Sequence, residues 1–301
     1  MTPKSPTTTR RLYSRIRASR RLLILVLAVF VLAGSVLFIG SSLSTPDTAL
    51  AAAVLHSVGS PSVVVASLNI AMVTDVDSIV RELSAHPPLK DADVFLMQEV
   101  VESAGTSVAE RVAARLQRSA VFASPEDVGG PPTFSGIAIL SKTSISDKIV
   151  RTLPRQNLLF RSRKRIALAG STETPIGRLR AVTAHLDTRI NPGQRVRQLE
   201  PALEEARRTS PAILGGDFNT NDMEWVSNVV PVPFPGWQAS HVRSLMESRG
   251  FRTPFTQRHP TFDHLGMQLD WIYTDSLRVV SYGIIPLQFS DHHAIWVQFS
   301  R

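Results

Sequence analysis

The sequence predicts an α+β protein: two packed, mixed β-sheets flanked by helices, with one transmembrane helix ahead of them. Three observations carry this. From residue 62 onward, many apolar runs of strand length alternate with only a few segments of helical spacing. Neither an internal repeat nor a low-complexity segment interrupts that stretch. Ahead of it, Leu22–Ile39 is 18 residues without a charge, softened only by Gly34 and Ser35.

Taken in order, residues 1–21 contain Lys4, Arg10, Arg11, Arg15, Arg17, Arg20 and Arg21 and no acid. They read as a basic cytoplasmic tail. As a helix, residues 22–39 would span ~27 Å, close to the ~30 Å hydrocarbon core of a bilayer. Arg81 is the next basic residue. Positive charge on the N-terminal flank alone predicts a signal anchor with that end in the cytoplasm and the remainder across the membrane. The alternatives are a buried core helix and a cleaved signal, which would release a secreted protein but normally has a shorter apolar region. Residues 40–61, rich in Ser, Thr, Pro, Ala and Gly, read as a linker.

The body, residues 62–301, is expected to be one domain. Val63–Ile70 has strand length and β-branched residues. Asp75–Ala85 has helical spacing, with Ile79, Val80 and Leu83 on one side and Thr74 as expected N-cap. Val94–Met97 is a second short strand, and Val108–Leu116 a helix. Strands then follow at Gly136–Leu140, Arg165–Ala169, Leu179–Ala184 and Ala212–Leu214, with one helix near 195–208. A helix near 241–249 precedes strands at Trp271–Tyr273, Val279–Ile285 and Ala294–Phe299.

The chain of 301 residues carries 33 Lys and Arg against 25 Asp and Glu, a formal +8. Seven of those units lie in residues 1–21, which leaves 26 basic against 25 acidic residues, or +1, for the rest. The basicity therefore encodes topology and is no evidence for a nucleic-acid partner. With 43% hydrophobic residues the chain is not disordered, and with no Cys it has neither thiol catalysis nor Cys-ligated zinc.

The chemistry lies where polar residues end or begin apolar strands: Asn69, Glu99, His185, Asp217 with Asn219, Asp270, and Asp291 with His292. Strand ends converge on one rim of a sheet, so these groups would share one site. A hard divalent cation such as Mg²⁺ takes oxygen ligands and one or two carboxylates, which suits Glu99 with Asn69 beside it. Asp217 and Asn219 are two apart, so in an extended segment both would face one way and hold one water or one phosphate oxygen. A carboxylate beside an imidazole fixes its tautomer, and Asp270 with His292 is the candidate pair. His185 would donate to a phosphate as charge develops. There is no serine nucleophile elbow, Walker loop or dinucleotide fingerprint.

These residues resemble a known family. Ser67-Leu68-Asn69-Ile70, Leu96-Met97-Gln98-Glu99-Val100, Ser135-Gly136 through Lys142, Thr183-Ala184-His185-Leu186, Gly215-Gly216-Asp217-Phe218-Asn219, Leu269-Asp270-Trp271-Ile272 and Ser290-Asp291-His292 occur in the order of the endonuclease/exonuclease/phosphatase superfamily. The resemblance covers residues 62–301. It implies a DNase I-like sandwich and Mg²⁺-dependent attack of water on a phosphoester, with Mn²⁺ or Ca²⁺ as substitutes. It also implies Glu99, Asn69 and Asp291 at the metal, and Asp217 and Asn219 positioning the water and the phosphate. His292 becomes base or transition-state stabiliser, oriented by Asp270. Abasic endonucleases of the superfamily carry an acid where this chain has Ala71 and a Tyr where it has His185, which argues against a base-excision role. A catalytically silent binding or scaffold module on the same fold would have lost a metal or base position; Glu99, Asp217, Asn219, Asp291 and His292 are all present.

Substrate identity is less legible. Arg151–Arg180 holds Arg151, Arg155, Arg161, Arg163, Lys164, Arg165, Arg178 and Arg180, with Glu173 the only acid. It reads either as a solvated strand face or as a basic wall, Arg165 included, for an anionic substrate such as a nucleic acid or a lipid head group. Val229–Trp237 is apolar and proline-rich. It admits a packed lid, a substrate-facing wall or a loop dipping toward lipid. Asp263 and His264 are expected as loop residues, and His293 is given no role.

Overall fold

The computed structural model describes residues 60–129, 135–156 and 164–301. The expected basic tail, transmembrane helix and most of the linker lie outside the described residues, as do Arg161 and Arg163. Among the described residues no helix is long and apolar enough to cross a membrane.

Strand β1 (Ser62–Asn69) leads to helices α1 (Val76–Ala85) and α2 (Pro87–Lys90), then to β2 (Val94–Val100). The short hairpin β3 (Glu102–Ser103) and β4 (Thr106–Ser107) opens α3 (Val108–Arg115), followed by β5 (Ser119–Ala123), β6 (Gly136–Ser141), β7 (Ile145–Thr152), β8 (Ile166–Thr174) and β9 (Gly177–His185). Helix α4 (Pro192–Ala206) precedes β10 (Ala212–Asp217), the hairpin β11 (Met223–Val226) and β12 (Val230–Pro233), and α5 (Trp237–Ser248). The chain closes with β13 (Asp270–Thr274), β14 (Arg278–Ile285) and β15 (Ala294–Ser300).

Two mixed sheets result. One has the order β14-β15-β1-β2-β6-β5 and the other β13-β10-β9-β8-β7. Their inner faces share a core in which Val63, Val65, Val94, Leu96 and Ile139 meet Ala181, Ile213, Ile272 and Val297. The outer face of the first sheet buries Leu68, Phe95 and Met97 against Ile79 and Leu83 of α1 and Val108 and Val112 of α3. Helix α4 covers the second sheet with Leu199, Ala202 and Leu203. This is the expected sandwich, with helices outside.

Local chemistry corrects several boundaries. Asp75, not Thr74, caps α1: its carboxylate accepts from the backbone N–H groups of Asp77 and Ser78 at 3.1 and 3.2 Å. Helix α4 begins at Pro192, three residues before expected, because Asn191 and Gln194 form a capping box and Pro192 suits the first turn. Helix α5 likewise begins at Trp237 instead of 241. Strands β5, β7 and the β11–β12 hairpin were absent from the sequence reading; β7 and the hairpin are largely exposed and lack a continuous apolar pattern of strand length.

The cationic stretch is largely neutralised from outside itself. Buried Glu205 on α4 accepts from Arg180 at 2.6 Å and from Arg151 at 2.9 Å. Arg178 pairs with Asp147, and Arg165 with Asp187 at 3.1 Å. These arginines hold α4 and β7 onto the second sheet.

Candidate active site

The topology brings the polar strand ends to one rim. Strands β1 and β2 run parallel, as do β9 and β10, so Asn69, Glu99, His185 and Asp217 leave their sheets on the same side. Strands β13 and β15 run antiparallel to these neighbours and begin there, which supplies Asp270 and His292. Asp217 is opposite His185 on one flank and Asp270 on the other.

Two glycines let the site form. A Cβ on Gly216, whose φ is 137°, would stand 2.1 Å from the carbonyl oxygen of Ala184. One on Gly215 would stand 2.7 Å from that of Trp271. No larger residue lets β10 lie so close to both neighbours.

Asp217 is the hub. Its Oδ2 accepts from Asn69 Nδ2 at 3.1 Å, a bond between the two sheets, and faces His185 Nε2 at 3.4 Å and His292 Nε2 at 3.9 Å. Its Oδ1 accepts from the backbone N–H of Asn219 at 2.9 Å. Burial pushes this carboxyl above the usual carboxylate range; the His292 charge pulls it back, and Asp270 raises it further.

Asn219 departs from the extended geometry expected of it. Strand β10 ends at Asp217, and Asn219 turns with φ 51°, its Nδ2 donating to the carbonyl of Leu186 at 2.9 Å. The pair is therefore held by a turn in which Asp217 caps Asn219, not by a shared strand face.

His292 Nδ1 lies 2.9 Å from Asp270 Oδ2, which also accepts from Thr261 Oγ1 at 2.7 Å. Phe262 packs on the imidazole at 5.0 Å between ring centroids. Burial of His292 disfavours its charged form. The Asp270 charge and hydrogen bond, with Asp217 and Asp291, outweigh that and raise its pKa to about 10. A folded value above the ordinary 6.5 means that this group stabilises the fold fully below about pH 6.5, and that the contribution is lost as pH rises through about 10. Asp270→Asn in metal-free protein is expected to bring the imidazole titration, followed by NMR, down toward 6.5 or below. It should also remove that alkaline loss of stability.

Glu99 stands at a β-bulge where the β2–β6 register shifts, with φ 55°. Its carboxylate is part-exposed on the rim, 3.9 Å from His185 Nε2. Asn69 Oδ1 accepts from the Ala71 backbone at 2.9 Å, and an amide oxygen keeps a second lone pair. Asp291 lies close enough to raise the His292 pKa. Asp217, Asp270 and His292 also offer ligand atoms within 4.8 Å of one another. However, Nδ1 and Oδ2 of the last two already bond each other, which is the geometry of an oriented acid–base pair. Glu99, Asn69 and Asp291 carry oxygen donors of the type that a hard divalent cation takes. Asp270 Oδ1, buried and without a hydrogen-bond partner, is a further oxygen at this centre.

Several supporting residues escaped the sequence reading. Arg195 of α4 is fully buried. It donates to the carbonyls of Phe218 at 2.6 Å and Asp187 at 2.7 Å, to those of Thr188 and Ile190, and to Gln238 Oε1. It thereby ties the Asp217–Asn219 turn to the loop after His185. Gln98 reaches from β2 to Thr183 on β9 at 2.9 Å. Ser290 Oγ donates to the Asn69 carbonyl at 2.7 Å and accepts from the His292 backbone at 3.1 Å. Their only sequence signal was position, next to the polar strand ends or on the helix after them. Asp263 pairs with His293, not with His264.

Beside His185 a small solvent-open cleft of ≈ 30 Å³ is lined in part by Ser135, Gly136, Lys164 and Arg165. Among the described residues of the cationic stretch, Lys164 and Arg165 line this cleft.

The sequence matches the model of the endonuclease/exonuclease/phosphatase family over residues 66–292. The chain belongs to this family. Family membership makes it a phosphoester hydrolase. Among curated proteins none matches significantly. Solved structures share the fold. An endonuclease/exonuclease/phosphatase from Beutenbergia cavernae superposes with a TM-score of 0.63 at 18% identity, over 80% of this chain and 72% of that one. The human Nocturnin catalytic domain with bound sulfate gives 0.57 at 19%, over 80% and 93%. D. rerio TDP2 complexed with single-strand DNA product gives 0.58 at 14%, over 80% and 99%.

Proposed function

We propose that this endonuclease/exonuclease/phosphatase-family hydrolase is a membrane-anchored, Mg²⁺-dependent phosphodiesterase. Its catalytic domain works outside the cytoplasm on a nucleic acid or on a phospholipid or sphingolipid head group. The observation that carries the chemistry is Asp217 Oδ2, ringed by Asn69 Nδ2, His185 Nε2 and His292 Nε2 within 3.9 Å, with Asp270 behind His292.

Glu99, Asn69 and Asp291 would hold the cation, which would supply charge neutralisation of the phosphate and of the departing oxygen. Asp217 orients the attacking water and takes its proton; its burial makes it a stronger base than an exposed aspartate. Asn219 and Asn69 fix the two oxygens of Asp217. His292, kept protonated by Asp270, acts as a donor to the phosphoryl oxygens and not as the base. His185 donates from the other side of Asp217. The water oxygen bonds to phosphorus as its proton passes to Asp217, the ester P–O bond breaks, and the departing oxygen takes a proton from solvent, so that a diester yields a monoester and an alcohol.

Arg165, oriented by Asp187 but 16% exposed, is the substrate contact in the neighbouring cleft, with Lys164. The anchoring reading rests on residues 1–39, where seven positive charges precede 18 uncharged residues. Fold relatives solved with sulfate and with a DNA product are in keeping with a phosphoester substrate. The test is a parallel assay of the purified full-length chain with Mg²⁺ on plasmid DNA, RNA, sphingomyelin and phosphoinositides. Turnover of one class assigns the substrate. No turnover of any, together with no calorimetric Mg²⁺ binding, would make the chain a silent scaffold on this fold.

A further inference from the structure

The β11–β12 hairpin and the start of α5 form an apolar protrusion that the site chemistry does not use. Val226, Val230, Val232, Phe234 and Trp237 are all 41–51% exposed. A packed lid is therefore not what this segment forms. Val226 pairs with Val230 across the hairpin. Val230, Val232 and Phe234 follow at spacing two, so the four share a face. Phe234 and Trp237 add an edge-to-face pair at 5.1 Å.

The protrusion is held firmly from beneath. Asn228 Nδ2 donates to the Arg189 carbonyl at 2.8 Å and to Gln194 Oε1 at 2.7 Å. The backbone of Phe234 donates to the Asp222 carbonyl at 2.7 Å, and Trp225 Nε1 donates to Asn221 Oδ1 at 3.1 Å. Asn221 in turn donates to the carbonyl of Asn219 at 3.1 Å, so the hairpin is tied to the active-site turn. A fixed apolar face of this kind normally marks a contact surface.

Two features select the occupant. Pro231 and Pro233 remove backbone donors along the second strand, so another chain cannot add a strand there. Residues 226–237 carry no charge, which removes recognition by ion pairing. What is left is a partner that asks only for apolar burial with an aromatic residue at the boundary, as a bilayer interface does. On the anchoring reading, the apolar run at 22–39 would place that bilayer nearby, with the 22 residues 40–61 between it and the domain. Even fully extended they reach about 75 Å, which keeps the domain at high effective concentration over the membrane.

We infer that Val226–Trp237 docks into the headgroup–acyl boundary of the bilayer to which the chain is tethered, and so sets the orientation of the active-site rim toward the membrane. The inference rests on the anchoring part of the proposed function. The chain has no cysteine, so a Val230→Cys variant accepts a single environment-sensitive dye. An Ala114→Cys variant on α3, across the sandwich, is the control. Full-length protein is reconstituted into phosphatidylcholine vesicles containing brominated lipid. The dye at 230 is expected to blue-shift and be quenched, the dye at 114 to remain as in water. A Val232→Asp/Phe234→Asp background should lower the docked-to-free ratio at 230 at least about tenfold. Equal, water-like signals at both positions would overturn docking. Concentration-dependent shielding of position 230 in lipid-free detergent would assign the face to a second copy and overturn it too. Retention on vesicles after an alkaline carbonate wash reports the anchor separately.

Discussion

Asp217→Ala is expected to lower kcat/KM on any phosphodiester substrate by about a thousandfold or more, within the range that a general base and its electrostatic setting supply. Asp217 is bonded to or faces four other members of the centre: Asn69, Asn219, His185 and His292. Its removal takes away the acceptor for the water proton and the anion between two imidazoles. The same substitution should leave the fold in place. A buried carboxylate whose pKa is pushed up by desolvation costs folding free energy above the usual carboxylate range. Losing that cost offsets the hydrogen bonds that go with it. The thermal midpoint is therefore expected to move by only a few degrees while activity collapses, a split that circular dichroism and initial rates measure together.

Arg195→Met is expected to do the reverse in emphasis and destabilise the protein by about 3–5 kcal/mol, the scale for breaking a buried charged network from one side. The substitution orphans the buried carbonyls of Asp187 and Phe218 and the side-chain oxygen of Gln238. Burial already lowers the Arg195 pKa to about 9, partly restored by Asp217 and Asp187. Arg195→Lys keeps the charge but cannot span the carbonyls from one nitrogen, so an intermediate loss is expected in urea denaturation. Activity should fall in step with stability, because the Phe218 carbonyl sits inside the Asp217–Asn219 turn.

The contrast between these two residues shows what was legible in the sequence. Asp217, His292 and Glu99 stand out because a polar residue ending an apolar strand is visible along the chain, and strand ends share a rim by topology. Gly215-Gly216 announced a close approach that the Ala184 and Trp271 carbonyls then required. Arg195, Gln98 and Thr261 are invisible for the opposite reason: their partners lie 23, 85 and 9 residues away. Local pattern does not record such pairings. The arginine-rich stretch leaves two readings open for the same reason, since Glu205, Asp147 and Asp187, which pair with most of its described arginines, lie outside it. Asn219 stands beside Asp217 through a turn, not through the extended geometry that its spacing suggests. Val229–Trp237 was visible as an anomaly, but only the fold shows that its apolar side chains face outward.

The central claim is metal-dependent phosphoester hydrolysis at the Asp217–His292 centre. The most direct measurement is the rate of bis(p-nitrophenyl) phosphate hydrolysis by the purified chain, with Mg²⁺, with chelator, and as Asp217→Ala and His292→Ala variants. The account predicts Mg²⁺-dependent turnover that chelator abolishes and that each substitution lowers by at least about a hundredfold. Turnover unaffected by chelator, or retained in both folded variants, would contradict it.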